Sequence, residues 1–417
     1  MPGEASFRGR HRERRTGRRA QLPMTSRAVA RPRVHTVAPG RDRDVLLILR
    51  TPPPYGGGEI IGAELERLFA DRYAILAFRR HGHSKRKQGR LTAGNVAFGV
   101  RYVAASSARL VRKRPNAVYI DIPKDAPSFL RTSVILLVAR ALHIRVVGDL
   151  AGADLPFIKG SSILARYGRW SLGGVHSIRV LSTSIAATLA ARGIRNTTVL
   201  SNGIPKPPGA GGLRPALDAP FRLLYMGELA RAKGIVTLLD LMRAFAISGY
   251  DAHLDLVGEW ESTATREHVS ALLNEWALHD RVTVRGLLVG DAKWHVFREA
   301  HVLVHPTSWD GQPVTILEAL AFGLPVVATR VGAIPETVRH RVEGYLMADD
   351  SVEELAAGVR TILNDPTTYA AYVDRARSAY AEHFSVDRFE TRMAGLLEAA
   401  RADGARSPAE EAATLDS

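Results

Sequence analysis

Residues 302–329 read VLVHPTSWDGQPVTILEALAFGLPVVAT. A short apolar run, 302–305, enters a polar loop punctuated by Pro306, Gly311 and Pro313. An apolar segment of helical length follows at 314–322, then Gly323, then a second short apolar run at 325–328. Short apolar runs between turn residues fit strands buried on both faces. Strand, helix and strand in so short a span predict a crossover unit, whose strands run parallel. The pattern repeats on either side. Strands are predicted at 221–226, 253–257, 282–285 and 344–347, with helices at 235–247, 265–276, 291–299, 334–339, 352–363 and 386–400. An earlier series has strands at 45–49, 73–78, 117–122, 144–147, 177–181 and 198–200 and helices at 59–70, 128–142 and 184–192. Between the two series, residues 201–220 read SNGIPKPPGAGGLRPALDAP, a linker by its Pro and Gly content. The expectation is two doubly wound α/β domains joined by a hinge. Ligands of such sheets lie beyond the carboxyl ends of the strands, which puts the site in the cleft between the domains.

The chain has 417 residues and no cysteine, which excludes disulfides, zinc ribbons, iron–sulfur clusters and a thiol nucleophile. The formal net charge is +15. Residues 1–44 carry 12 Arg against two Glu and two Asp, with no apolar periodicity, and read as a disordered basic tail. Such a balance suits anionic partners: nucleotide phosphates, anionic lipid or nucleic acid. The tail lacks aromatic residues between its arginines for base stacking, so nucleic acid is disfavoured. No apolar run reaches membrane-spanning length. The greasiest segment, 134–139, reads as a buried helix, and residues 1–44 lack the apolar core of a secretion signal.

Three loops could carry chemistry. The first, Gly227-Glu228-Leu229-Ala230-Arg231-Ala232-Lys233-Gly234, directly follows a strand and opens a helix. Free N–H groups there attract phosphate, and Lys233 and Arg231 add charge. An ordinary solvated surface loop reads the same way. The second holds Asp310 and, in the next helix, Glu318. A carboxylate in so apolar a helix needs a hydroxyl or a cation as partner; a surface position or a structural salt bridge is the plainer account. The third, Pro54-Tyr55-Gly56-Gly57-Gly58, lets a ligand approach the backbone closely, although it is no G-x-G-x-x-G fingerprint and suits a mobile loop equally.

Together these segments resemble the retaining GT-B glycosyltransferases of family 4 (glycosyl transferases group 1). The resemblance runs from about residue 45 to about 400 and is strongest over 221–365. An acidic residue, seven spacers and Glu318, followed by Ala-Leu-Ala-Phe-Gly-Leu-Pro-Val-Val-Ala-Thr, is similar to that family's E-x7-E segment. Val199-Leu200-Ser201-Asn202-Gly203-Ile204 resembles its interdomain segment, and Gly332-Ala333-Ile334-Pro335-Glu336 and Glu343-Gly344-Tyr345-Leu346 its next landmarks. The resemblance implies an N-terminal acceptor-side domain at 45–200, a linker at 201–220 and a nucleotide-sugar-binding domain at 221–384. It also implies a helix at 385–402 that crosses back, with 403–417 a disordered tail. It implies that Lys233 contacts the donor diphosphate, Glu318 the ribose hydroxyls and Asp310 the transferred sugar. Backbone N–H groups across Gly311, Gln312, Pro313, Val314 and Thr315 would face sugar and phosphates, Gly57 and Gly58 would admit donor and acceptor, and the 285–288 segment would lie near the base.

Three positions depart from the family. Asp310 stands where Glu is usual, Glu228 where Arg is usual, and no His follows the strand at 144–147, where the chain reads Gly148-Asp149-Leu150-Ala151-Gly152-Ala153-Asp154. Arg231 would substitute for the missing Arg, and Asp149 or Asp154 for part of the His environment. The activity implied is transfer of a sugar from a nucleoside-diphosphate sugar to a hydroxyl of a glycan, lipid-linked glycan or small molecule, with retention. No separate cofactor is expected. The D-x-D spacing occurs at Asp42–Asp44, ahead of the first strand, so a metal-independent reaction is expected, with Lys233, Arg231 and helix N-termini facing the leaving charge. The expected location is cytoplasmic, with the tail on an anionic membrane surface. A catalytically silent relative acting as a binding partner is the alternative, and a nucleotide-sugar epimerase a further one.

Overall fold

The structure is a computed structural model and describes residues 33–35, 44–52, 56–79, 93–152 and 154–405. The N-terminal lobe comprises β1 (Arg33–His35), β2 (Val45–Thr51), α1 (Gly57–Phe69), β3 (Ala74–Arg79), α2 (Ala93–Lys113), β4 (Ala117–Asp121), α3 (Ala126–Ala141), β5 (Arg145–Leu150), α4 (Ile163–Gly173), β6 (Ser177–Val180), α5 (Thr183–Ala190) and β7 (Thr197–Val199). After the linker come β8 (Phe221–Met226), α6 (Ile235–Ile247), β9 (Ala252–Val257), α7 (Thr263–Glu275), β10 (Val282–Gly286), α8 (Asp291–Glu299), β11 (Val302–His305), α9 (Val314–Phe322), β12 (Val326–Ala328), α10 (Ile334–Thr337), β13 (Gly344–Leu346), α11 (Val352–Ile362) and α12 (Pro366–Ala379). A π-helical turn, Tyr380–Phe384, leads into α13 (Val386–Ala405).

Each series builds one sheet. The first has the order β1-β3-β2-β4-β5-β6-β7 and the second β10-β9-β8-β11-β12-β13. Every pairing is parallel except β1 on β3. The pairing of β11 with β12, Leu303 opposite Val326, closes the crossover unit that the 302–329 stretch predicts. β11 and β12 are buried at every position, as strands covered by helices on both faces must be. This is the pair of doubly wound α/β lobes that the sequence implies.

α13 returns to the first lobe and packs against β4 and β5. Its Phe389, Met393 and Leu397 belong to a core that also contains Leu47, Tyr73 and Tyr119 of the N-terminal lobe and Leu317 and Leu320 of α9. Tyr73 donates its hydroxyl to Glu398 at 2.5 Å. The lobes are also clamped directly. The Glu336 carboxylate accepts from the backbone N–H and hydroxyl of Thr183 and from the N–H of Ser184, capping α5 from the opposite lobe. Burial opposes its ionisation, but these donors outweigh burial and hold its pKa below the ordinary value.

Several expectations are corrected. Arg33–His35 forms an edge strand inside the stretch expected to lack structure, and helix persists through Ala405, beyond 402. The remaining tail residues, 1–32, 36–43 and 406–417, lie outside the described residues, as do Pro54, Tyr55 and Asp42. The segment 134–139 is not wholly buried. Ile135, Leu136 and Ala139 face the core, while Val134 and Leu137 are exposed beside Leu130 along one stripe of α3. An all-apolar helix gives no sign of which face the sheet covers. Among the described residues no helix is long and apolar enough to cross a membrane.

Candidate active site

Sheet topology marks the site before any side chain is considered. In the C-terminal lobe the chain leaves β8 for β9 on one side and returns to β11 on the other. The crevice between β8 and β11 is therefore the switch point. Its rims are the loop 227–234 and the loop 306–313, which hold Lys233 and Asp310. In the N-terminal lobe the switch falls between β2 and β4, whose following loops lead to Gly57 and to Lys124. The two crevices face one another. A Cβ on Gly311 would lie 2.1 Å from the Ala151 carbonyl oxygen, and one on Gly57 would lie 3.9 Å from Val314 Cγ2. The cleft expected from the sequence is thus lined by the loops expected to line it.

Three of the helices at these rims start without side-chain caps, while α3 is capped by Asp125, which accepts the Ser128 N–H at 2.9 Å. The N-caps of α1, α6 and α9 are Gly56, Gly234 and Pro313, whereas Ser162, Ser182, Ser262, Ser351 and Asp365 cap α4, α5, α7, α11 and α12 with their side chains. Uncapped first turns leave N–H donors for an anion. Gly234 has φ +80°, and its Cβ would fall 2.1 Å from the Pro306 carbonyl oxygen, so only glycine lets the two rims touch. Ser308 then latches them, donating its N–H and hydroxyl to the Ala232 carbonyl at 3.0 and 2.9 Å.

Lys233 sits at that junction. Its Nζ donates to the Trp309 carbonyl at 2.6 Å and to Asp310 Oδ2 at 2.7 Å. Asp310 also accepts the Gly311 N–H at 2.9 Å and lies 3.4 Å from His305 Nε2. Burial opposes ionisation of Asp310, yet the His305 ring and the Lys233 ammonium outweigh it and hold the carboxyl well below the usual range. His305 is buried, stacked on Tyr225 at 6.0 Å, and nothing but its place at the end of β11 marks it in the sequence.

Glu318 is buried in α9. Its Oε1 accepts from Lys293 Nζ of α8 at 2.5 Å, and its Oε2 is buried without a partner. Burial pushes its carboxyl up, and Lys293 only partly offsets this. The plainer account, a structural salt bridge, and the functional one, a waiting acceptor, each describe one oxygen. Lys293 carries no signal in the sequence.

The other expected residues separate. Gln312 is buried and structural: its Oε1 accepts from the Asn202 N–H at 2.7 Å, and its Nε2 donates to Thr337 at 2.9 Å. Pro313 has no N–H, and the Gly311 N–H is taken by Asp310, so among these five residues Gln312, Val314 and Thr315 are left to supply backbone donors. Gly57 and Gly58 are exposed at the start of α1, with a Gly58 Cβ 3.8 Å from Arg50. Arg231 is exposed and its side chain makes no ion pair among the described residues. Arg285 pairs with Asp255 at 2.7 Å. Asp149 is engaged: it accepts from Tyr119 at 2.6 Å and from Arg179 at 2.8 Å, and Arg179 donates on to Asn202 at 2.6 Å. Asp154 pairs with Lys159 at the surface. Among the described residues no cluster of three or more His, Asp or Glu side chains is arranged to hold a metal ion.

The chain is similar to known proteins. The chain is 30% identical over 162 residues to a 2-deoxystreptamine glucosyltransferase of Streptomyces kanamyceticus, covering 39% of this chain and 41% of the relative. It is 27% identical over 222 residues to a glycogen synthase of Mycobacterium tuberculosis, covering 52% and 51%. The chain spans about half the length of the curated relatives it matches. The fold is that of HepE from Anabaena, solved with UDP and glucose: TM-score 0.67 at 16% identity, over 86% of this chain and all of that one. The fold is therefore GT-B, and residues 215–379, the stretch holding Lys233, Asp310 and Glu318, match the family of glycosyl transferases group 1.

Proposed function

We propose that this protein is a glycosyltransferase that moves a sugar from a nucleoside-diphosphate sugar to a hydroxyl of a glycan, lipid-linked glycan or small-molecule acceptor, with retention and without a metal ion. The observation that carries the reading is Lys233: its ammonium lies at the C-terminal lobe's switch point, between two rims that touch through Gly234. The match of residues 215–379 to glycosyl transferases group 1 supports it, and so does the UDP held by a protein of the same fold.

Breaking the anomeric bond puts negative charge on the departing diphosphate. Lys233 and the open first turns of α6 and α9 would face that charge in a water-poor cleft. Lys233 would exchange Asp310 for phosphate oxygens, which frees the Asp310 carboxylate to accept sugar hydroxyls. Glu318 Oε2 would accept a ribose hydroxyl while Lys293 holds the other oxygen. The departing phosphate would take the acceptor proton as the new bond forms on the same face of the sugar.

A thermal-shift panel of UDP-, GDP- and ADP-sugars against wild type and Glu318→Ala tests this. One donor should stabilise the wild type and fail to stabilise the variant. No shift with any donor would leave the catalytically silent reading in its place.

A further inference from the structure

The transfer scheme needs positive charge on the departing diphosphate, and Glu228 stands where the related family places a second cation. The opposite lobe offers a candidate. Lys124 follows β4 at the N-terminal lobe's switch point, and its Nζ lies 4.1 Å from the centre of the Trp309 ring across the cleft. Lys233 Nζ stands 5.1 Å from the same ring. One indole is therefore shared by two ammonium groups, one from each lobe.

The carboxylates nearby are paired with other cations. Asp310 is committed to Lys233 at 2.7 Å. Asp121, on β4, is bound by Arg50 at 2.8 Å, and Arg50 also pairs with Glu59 at 3.4 Å. Lys124 itself makes no ion pair among the described residues. Burial lowers its pKa, with Asp310 and Asp121 opposing. A cation–π contact is weak, whereas a charge-assisted hydrogen bond to phosphate is roughly twice as strong as a neutral one. An ammonium resting on a ring, partly desolvated and lacking a carboxylate of its own, is set to be given up to an anion.

We propose that Lys124 binds a phosphate group where the two crevices meet, and so ties the N-terminal lobe to a ligand already held by Lys233. This rests on the nucleotide-sugar reading above. The phosphate can come from the donor's diphosphate or be carried by the acceptor. Either way, closure of the lobes and neutralisation of phosphate become one event.

Titration calorimetry on the full chain tests it with wild type, Lys124→Ala, Lys124→Gln and Lys124→Arg. In the first arm UDP, GDP, ADP and their nucleosides are titrated. In the second, inorganic phosphate is titrated onto protein saturated with whichever nucleoside binds. Lys124→Ala and Lys124→Gln should weaken one arm by about 10- to 100-fold, leave the nucleoside unchanged, and be largely rescued by Lys124→Arg. Loss of diphosphate affinity assigns the donor; loss of free phosphate alone assigns the acceptor. Unliganded melting should stay within about 2 °C of wild type, since Lys124 holds no buried partner. If wild type binds a nucleoside diphosphate and all variants match it in both arms, the Lys124 assignment falls alone. If wild type binds none of the three, the donor reading falls and takes this assignment with it.

Discussion

The two lobes share an architecture and differ in what their strand ends do with charge. In the C-terminal lobe two ion pairs are short: Lys233 with Asp310 at the rims, and Lys293 with Glu318 between α8 and α9. In the N-terminal lobe the strand-end charges are used up internally. Arg50 takes Asp121, and Tyr119, Asp149, Arg179 and Asn202 form a chain of hydrogen bonds that continues through Gln312 to Thr337. A ligand can trade places with a partner in the first arrangement. In the second, removing any member strands a buried group. The contrast teaches that exchangeable pairs lie in one lobe and locked ones in the other; under the proposals above, the first would recognise, the second support, and Lys124 would join them.

Arg179→Met attacks the supporting lobe hardest. It leaves Asp149 and Asn202 without their buried donor, and about 3–5 kcal/mol of stability should be lost in urea unfolding. Nucleotide affinity per folded molecule should stay close to wild type; a large affinity loss would blur the division between the lobes. Lys233→Ala should do the reverse. Roughly 3–4 kcal/mol of transition-state stabilisation should vanish, a drop in kcat/KM of about 10²- to 10³-fold, with a smaller loss of stability than Arg179→Met because Asp310 alone loses its ion-pair partner.

The two acidic residues of the recognising lobe should titrate in opposite senses. Asp310 is held below its ordinary pKa, so its stabilisation is present above the usual carboxylate range and is lost as pH falls below it. Glu318 is pushed up, so stability declines as pH rises through and just above that range. Lys293→Ala should exaggerate the second effect. It should cost about 1–3 kcal/mol at neutral pH, shrinking toward pH 4 as Glu318 protonates, measured as unfolding free energy against pH. Arg231→Ala should do least, within about 0.5 kcal/mol in stability and without loss of nucleotide affinity.

Legibility followed the distance between partners along the chain. Lys233, Asp310 and Glu318 lie in loops and helices that immediately follow their strands, so local pattern made them candidates and the family resemblance gave them their expected roles. Arg50 and Asp121, or Asp149 and Arg179, meet only because β2 pairs with β4 and β5 with β6. No spacing rule in one sequence announces such a meeting. Lys124 was illegible for the same reason: it reaches Trp309 from the other lobe, whereas Arg231 lies beside Lys233 in the sequence and is exposed. The Gln312 side chain holds the linker through Asn202, a contact between segments far apart in the chain that local pattern does not announce.

α13 carries a consequence for how the molecule is made. β4 and β5 are translated long before the helix that covers them, and Phe389, Met393 and Leu397 arrive only after the second lobe has emerged. The first lobe to leave the ribosome is therefore the last to be finished, and a chain halted before Val386 would present an open apolar floor to whatever else is nascent nearby.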